Sequence, residues 1–468
     1  MGIGEAVVVD VEERMSARFV SLDRDTAYLL PPSVQDWLPG NHLARFVVEI
    51  VEGLDLRKLT TAYRGRGSDA YHPAMMVALL FYGYATGVFS SRKLERETYD
   101  SVAFRYVAAN EHPDHDTIAT LRKRFLKELS ALFVEILNVA QQMGVLKLGK
   151  VSLDGTKVHA NASRHSALSW EHACKIEAQL KAEVEQLMRL AEEADQVEIP
   201  DGMSVPEELQ RREDRLAAIA QAKAAIEARA AERYARERAP YEEKMAARKA
   251  KEESGGRKPG GKPPAAPQPG PRAKDQVNLT DPDSRIMLAS DGGFEQAYNA
   301  QAAVDVETML IVEQHVTQSP NDKQEVKSTL ANLDALTQVI GKPEALLADT
   351  GYFSADNVEQ CHAHEVEPYI AAGRDAHYPP LAERLHDPAP VAEDASAVER
   401  MKHRLRTPDG RAIYAKRKCT VEPTFGIIKS VLGFRQFLLR GLQAVEHEWT
   451  LVCIGWNLKR LHRLQSAA

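Results

Sequence analysis

The spacing of apolar positions changes several times along the chain, and each change marks an element. From His72-Pro73, the residues Met76, Leu79, Leu80 and Tyr84 recur at intervals of three and four, which predicts a helix that Gly87 ends. Ser90-Ser91 caps a second helix, Arg92 to Asp100, and a third begins near Asp116 and runs through Ile118, Leu121 and Phe125. Residues 1 to 70 are mixed, with weak helical patterning and a Pro-rich turn at Leu30-Pro31-Pro32-Ser33. Residues 1–140 therefore read as an all-α N-terminal domain.

Residues 165–251 are rich in Ala, Glu, Lys and Arg. Their apolar positions Ile176, Leu180, Val184, Leu187 and then Leu209, Leu216, Ile219, Ile226 form two helical stretches, with a breaker at Ile199-Pro200-Asp201-Gly202 between them. Such an arm fits an internal hairpin or an intermolecular coiled coil equally well. Residues 252–275 hold no core-forming residues and read as a flexible linker. On either side of this insertion the period drops to that of strands. Lys150 to Leu153 precedes Asp154-Gly155; beyond it come two runs, Phe294 to Asp305 and Met309 to Thr317, that make a hairpin. A helix (Asp322 to Val339), a strand (Ala345 to Ala348), a helix (around Ala355 to His364) and a strand (Pro368 to Ala371) follow. A Pro-rich loop at 375–395 leads into the last helices. This alternation predicts an α/β layer with a mixed sheet over 145–164 and 276–468.

The four cysteines lie far apart without a CxxC pair, which speaks against a disulfide framework or a structural zinc site. The start MGIGEAVVVDVEERM has acids where a signal peptide carries basic residues, and residues 73–91 contain Gly, Tyr and Ser, so a buried helix and a cytoplasmic protein are expected. No GxxxxGK[ST] loop is present, and no nucleotide cofactor is expected. The net charge of −7 hides a polar asymmetry, because residues 401–468 carry 13 Lys or Arg against 4 Asp or Glu. That end is suited to phosphates. In the N-terminal part, helix, Gly turn and capped basic helix are similar to a helix-turn-helix, which makes Arg92, Lys93, Arg122, Lys123 and Arg124 candidate DNA contacts. The same residues also fit the solvated face of an ordinary bundle.

Three acids stand out. Asp154 and Asp349 each follow a short apolar run, at the place where α/β sheets carry their sites; alone, either reads as a turn residue or a helix cap. The third is Glu422, in a basic stretch from Tyr414 to Lys429. Glu422 and Lys429 are two helical turns apart on nearly one face, although Pro423 argues for a helix start or a kink there.

DGTKVHANAS around Asp154, ADTGYFS around Asp349 and the run Tyr414, Arg417, Glu422, Lys429 together resemble the bacterial insertion-sequence transposases of the DDE class. So do residues 71–95 and 434–461. Four residues separate Arg417 from Glu422, where better-known relatives have three. The resemblance implies an RNase H-like mixed sheet flanked by helices, interrupted by the long coiled-coil-like insertion. It implies that Asp154, Asp349 and Glu422 are catalytic and hold two Mg²⁺ ions, with Mn²⁺ able to replace them, and that Tyr414, Arg417 and Lys429 contact DNA. It further implies double-stranded DNA as partner, at terminal inverted repeats and at the target, and a homodimer or larger assembly on DNA in a bacterial cytoplasm, at the nucleoid when DNA is bound. Gly155 is expected to let the backbone pass close to metal and phosphate. A transposase-derived DNA-binding or assembly protein without catalysis is the alternative. His159, His165 and Lys157 receive no catalytic role.

Overall fold

Ten residues, Lys150–His159, form the first core strand (β1), which is longer than the four-residue run expected. The structure is a computed structural model that describes residues 33–63, 69–192, 204–255, 261–289, 292–373 and 388–467. The Pro-rich turn before Ser33, the breaker at Ile199–Gly202 and the loop at 375–395 up to residue 387 lie outside the described residues. The chain divides into two units: residues up to Val158 together with those from Asn299 onward, and His159–Tyr298.

In the first unit the sheet is built from β1, β2 (Phe294–Asp305, entering from the second unit), β3 (Ile311–Thr317), β4 (Ala345–Ala348) and β5 (Glu367–Ile370). Their order is β3-β2-β1-β4-β5, and a sixth strand, Arg285–Leu288, pairs antiparallel with Phe294–Ala297 at the start of β2. The β2–β3 pair is an antiparallel hairpin, with a bulge between Ala303 and Val304. Opposed hydrogen bonds, Val306 N to Lys150 O and Ala160 N to Gln296 O, run β2 antiparallel to β1. β1 and β4 are parallel, as are β4 and β5. Parallel strands buried on both faces read as unbroken apolar runs, and all four residues of β4 are buried. With its flanking helices this is an RNase H-like α/β core.

The C-terminal helix Leu442–Ala467 lies against β3. Asn457, fully buried, accepts from Ile311 N and donates to Ile311 O, both at 2.8 Å, satisfying backbone groups that the edge strand would leave open. The same helix packs against Pro73–Thr86 and Leu126–Gln142 of the N-terminal part. Gly455 makes the crossing close: a Cβ there would sit 2.7 Å from the carbonyl carbon of Tyr84. The helices expected as a separate domain over 1–140 thus share one compact unit with the sheet, since a helix apolar almost all round has to be covered on every side. Pro73–Thr86 is buried along nearly its whole length, and no single helix among the described residues is long and apolar enough to cross a membrane.

In the second unit, the helices Trp170–Glu192 and Val205–Gly255 fold back on each other. Leu180 packs with Ile219, Ala222 and Ile226, and Lys223–Glu177 (2.6 Å) and Arg212–Glu183 (2.8 Å) bridge the two helices. The apolar seam of the arm is therefore used internally. The expected linker is shorter than composition indicated. Its first residues continue the second helix to Gly255, and its last are held by Arg233, which grips the Asp275 carboxylate through Nη1 at 2.9 Å and donates to Gly270 O. Trp170 N also donates to Asp275 O, and Ala167–Ser169 pairs antiparallel with Gln276–Asn278. Charged and backbone hydrogen bonds do this ordering, which a search for apolar residues does not detect.

Candidate active site

β1 and β4 run in register from Lys150↔Ala345 to Ser152↔Leu347. Asp154 and Asp349 each stand two residues beyond that last pair, so the parallel register sets them abreast, 195 positions apart in sequence. Asp349 leaves its strand into a short turn, Thr350–Tyr352, and its Oδ1 accepts from Gly351 N at 2.7 Å. Asp154 lies inside β1; the Asp154-Gly155 pair is no turn, because beyond Ser152 the strand stays paired with β2 after parting from β4. Burial raises the Asp154 carboxyl to about 6, with Asp349 and Asp322 adding to the rise and the Gly155 N–H and Arg417 opposing it.

Glu422 comes from the helix Pro408–Gly426, which passes straight through Pro423. The proline is tolerated near the helix end, where the chain winds into a wider turn over Ile427–Val431 that contains Lys429. Arg417, 8% exposed, ties the acids together: its Nη2 lies 2.8 Å from Glu422 Oε1 and its Nη1 3.7 Å from Asp154 Oδ2. The guanidinium and Asp154 are poorly solvated while the Glu422 side chain is about half exposed, so water screens the bridge mainly on its Glu422 side. Lys429 does not project freely from the face of Glu422; its Nζ donates to Lys157 O at 2.7 Å, and burial with the nearby Arg435 and Lys157 lowers its pKa. Tyr414 packs against the cluster of Val306, Ala345, Leu347 and Tyr369 under the strand ends.

A fourth carboxylate, absent from the sequence reading, completes the site. Asp322, the first residue of the helical segment after β3, uses one oxygen, Oδ1, to accept from Asn299 Nδ2 (2.6 Å), Gln301 Nε2 (2.9 Å) and Lys157 Nζ (3.4 Å). Tyr352 donates to the other end of Gln301 at 2.5 Å. Asn299 and Gln301 alternate in the middle of β2, are fully buried, and share one strand face, and this pair of polar positions among alanines was the available signal. Gly155 serves this cluster. A Cβ on it would lie 2.1 Å from Gln301 Nε2 and 2.9 Å from both Asn299 Oδ1 and Asp322 Oδ1, so the close approach there is to side chains held in place.

The N-terminal candidates separate. Pro73–Thr86 and Ser91–Asp100 meet at a bend of 96° through Gly87, whose φ is +86°, and Arg92 and Lys93 are exposed on the second helix. Lys123 is exposed on His115–Arg124, and Arg124 is exposed while donating to Ala62 O. Arg122 points inward, 8% exposed, towards Phe89 O (3.2 Å) and Tyr84 Oη (3.4 Å). It lies four residues after Ile118, on the helix face that also buries Leu121 and Phe125, and is removed from the candidate DNA contacts.

Among the described residues no group of three His, Cys, Asp or Glu side chains is gathered closely enough to hold one ion, since Arg417 stands between Glu422 and Asp154. The donor chemistry nonetheless fits a hard divalent cation: Asp154 and Asp349 are carboxylates brought side by side, and the Asp154 carboxylate is raised first by burial and then by the neighbouring charges of Asp349 and Asp322, a combination that a bound cation would relieve.

Residues 278–458 match the family model described as Transposase DDE domain, and residues 32–124 match the one described as Transposase domain (DUF772). The first match includes Asp349 and Glu422, whereas Asp154 lies ahead of it, before the insertion. No curated protein and no solved structure matches the chain.

Proposed function

We propose that this chain, which matches a transposase DDE domain over residues 278–458 and a second transposase domain over residues 32–124, is an insertion-sequence DDE transposase that cuts DNA at the ends of its element and joins the freed 3′-hydroxyl to target DNA. The observation carrying this reading is the placement of Asp154 beside Asp349 on parallel strands, with Glu422 brought to them through Arg417.

In the first step water attacks a phosphodiester in line; the bond from phosphorus to the 3′-oxygen breaks and leaves a 3′-hydroxyl and a 5′-phosphate. In the second that hydroxyl attacks a target phosphodiester, so one ester bond forms as another breaks. Asp154, Asp349 and Glu422 are the residues that would hold two Mg²⁺ ions, or Mn²⁺, which when bound activate the attacking oxygen and stabilise the leaving one. Lys157 and Lys429, adjacent cations on one side of the acids, hold a phosphate near them. Arg417 compensates Asp154 and Glu422 in the protein alone. Arg92, Lys93 and Lys123 meet the DNA duplex in the N-terminal part, and the active form is a dimer or larger assembly spanning two ends.

The test is cleavage and strand transfer on a plasmid carrying the element, with Mg²⁺, by the parent protein and by Asp154→Asn, Asp349→Asn and Glu422→Gln. Each variant is expected to lose activity by at least about 10²–10³-fold, the scale of losing a group that stabilises developing charge. Unchanged activity in any of them overturns the assignment of that acid. A parent protein that shifts the element's ends in a gel yet never nicks them under any divalent ion is instead a non-catalytic DNA-binding or assembly protein.

A further inference from the structure

Beyond the carboxyl end of β5, a cavity of about 510 Å³ opens between Ala371–Gly373 and the two helices Ala397–Arg406 and Pro408–Gly426. Four cations line it, Lys402, Arg406, Arg411 and Lys418, all exposed, and among the described residues no carboxylate does. Their spacing is periodic: Lys402 and Arg406 are four apart on one helix, and Arg411 and Lys418 are seven apart on the other, so each pair shares a helix face. Like charges four apart, as Lys402 and Arg406 are, destabilise a helix slightly. Their convergence on one cavity at the carboxyl ends of parallel strands, where α/β sheets receive ligands, fits an anionic occupant.

The position identifies the anion. Glu422 lies four residues beyond Lys418, continuing the face that carries Arg411 and Lys418. At ~1.5 Å per residue, Arg411 to Glu422 spans about 16 Å, the axial rise of roughly five nucleotides of one DNA strand. We propose that this cavity is a phosphate track for the strand being cut, holding the backbone up to about five nucleotides from the scissile phosphate. The proposal rests on the transposase reading above and adds to it a second anchoring point, separate from Lys157 and Lys429. Ala371, Ala372 and Gly373 keep the floor low enough for the backbone to enter, because none carries more than a methyl group.

The probe is a fluorescein-labelled 30-bp duplex, followed by anisotropy over a range of KCl concentrations with the full chain. Each lost phosphate contact reduces the slope of log K against log salt by ~0.9. Replacing Lys402, Arg406, Arg411 and Lys418 together by Gln is expected to lower that slope by about 2 to 4, whereas replacing Arg215, Lys244, Lys249 and Lys251 of the arm, the same loss of charge, leaves it within about 0.5. Ala372→Glu keeps every cation and is expected to weaken binding about tenfold or more, which guards against misfolding of the fourfold variant. An unchanged slope in the fourfold variant, or an equal fall in the arm control, overturns the proposal. Cleavage of element DNA by the parent protein separates the two ideas: a parent that cuts while the fourfold variant keeps its slope loses the track and retains the transposase function. A parent that neither binds nor cuts DNA loses both.

Discussion

Asp154 and Asp349 are neighbours because Ser152 and Leu347 are partners. Two parallel strands in register carry an aspartate at the same step past their last pair, and the separation of 195 residues closes to adjacent strands. Everything else at the site is arranged around this pair: Arg417 compensates Asp154, Asp322 gathers polar side chains beneath Gly155, and Lys429 caps the strand from the helix side.

Gly155→Ala is expected to disturb this centre despite adding one methyl group. The new Cβ meets Gln301, Asn299 and Asp322, each held by other bonds, so relief by side-chain rotation is restricted. A loss of about 1–3 kcal/mol in denaturant unfolding is expected, with cleavage falling further than stability alone explains. Parental stability and cleavage in the alanine variant would show that the cluster yields freely.

Asp322→Asn keeps an oxygen that can accept the three hydrogen bonds but removes the negative charge that faces Lys157. The variant is expected to lose about 1–3 kcal/mol of stability and to cut DNA more slowly while still binding it, because Lys157 loses its carboxylate partner. Rates of cleavage at several pH values, set beside duplex affinity, decide the matter. Cleavage at the parental rate would leave Asp322 a purely structural residue.

A buried charge cluster beside the site, where His315 is the cross-strand partner of Gln301, gives a pH dependence. His315 lies between Glu313 at Nδ1 (2.9 Å) and Glu325 at Nε2 (3.1 Å), and Asn332 also donates to Glu313. Burial opposes the charged ring, but the two carboxylates prevail and raise its pKa to about 10. A histidine whose folded pKa lies above its unfolded value of 6.5 contributes stability that is whole below 6.5 and is lost as pH rises through about 10. Unfolding free energy should therefore decline between pH 7 and 10, and His315→Gln should remove most of that decline. At pH 7 the variant should be less stable by about 3–5 kcal/mol, the scale of breaking a buried pair. A parent protein equally stable at pH 7 and 10 would contradict the assignment.

Gly455→Val addresses the seam between the N-terminal helices and the sheet. Its Cβ would run into the backbone of Tyr84 and Ala85, which cannot rotate away, so the helix Leu442–Ala467 must shift off Pro73–Thr86. Calorimetry is expected to show a loss of about 1–3 kcal/mol or more. If the N-terminal helices and the core melted as separate domains in the parent protein, the shared unit would be disproved.

The elements that local chemistry controls were legible in the sequence. His72-Pro73 and Gly87 bound one helix, Ser90 begins the next, β2 and β3 form the expected hairpin, and Asp349 follows β4. Period, caps and breakers act over a few residues, so they are written in order along the chain. Asp154, Asp349 and Glu422 were found by motif, but what surrounds them was decided by the tertiary structure. Whether Asp154-Gly155 turned or ran on depended on β2 continuing beside it, a partner some 150 residues away. Asp322 looked like a helix start until Asn299 and Gln301 of β2 met it, and Arg122 looked like a surface cation until Phe89 and Tyr84 enclosed it. Helical spacing states which side chains share a face, whereas what that face meets is set by packing between segments far apart, and that information is held by the fold.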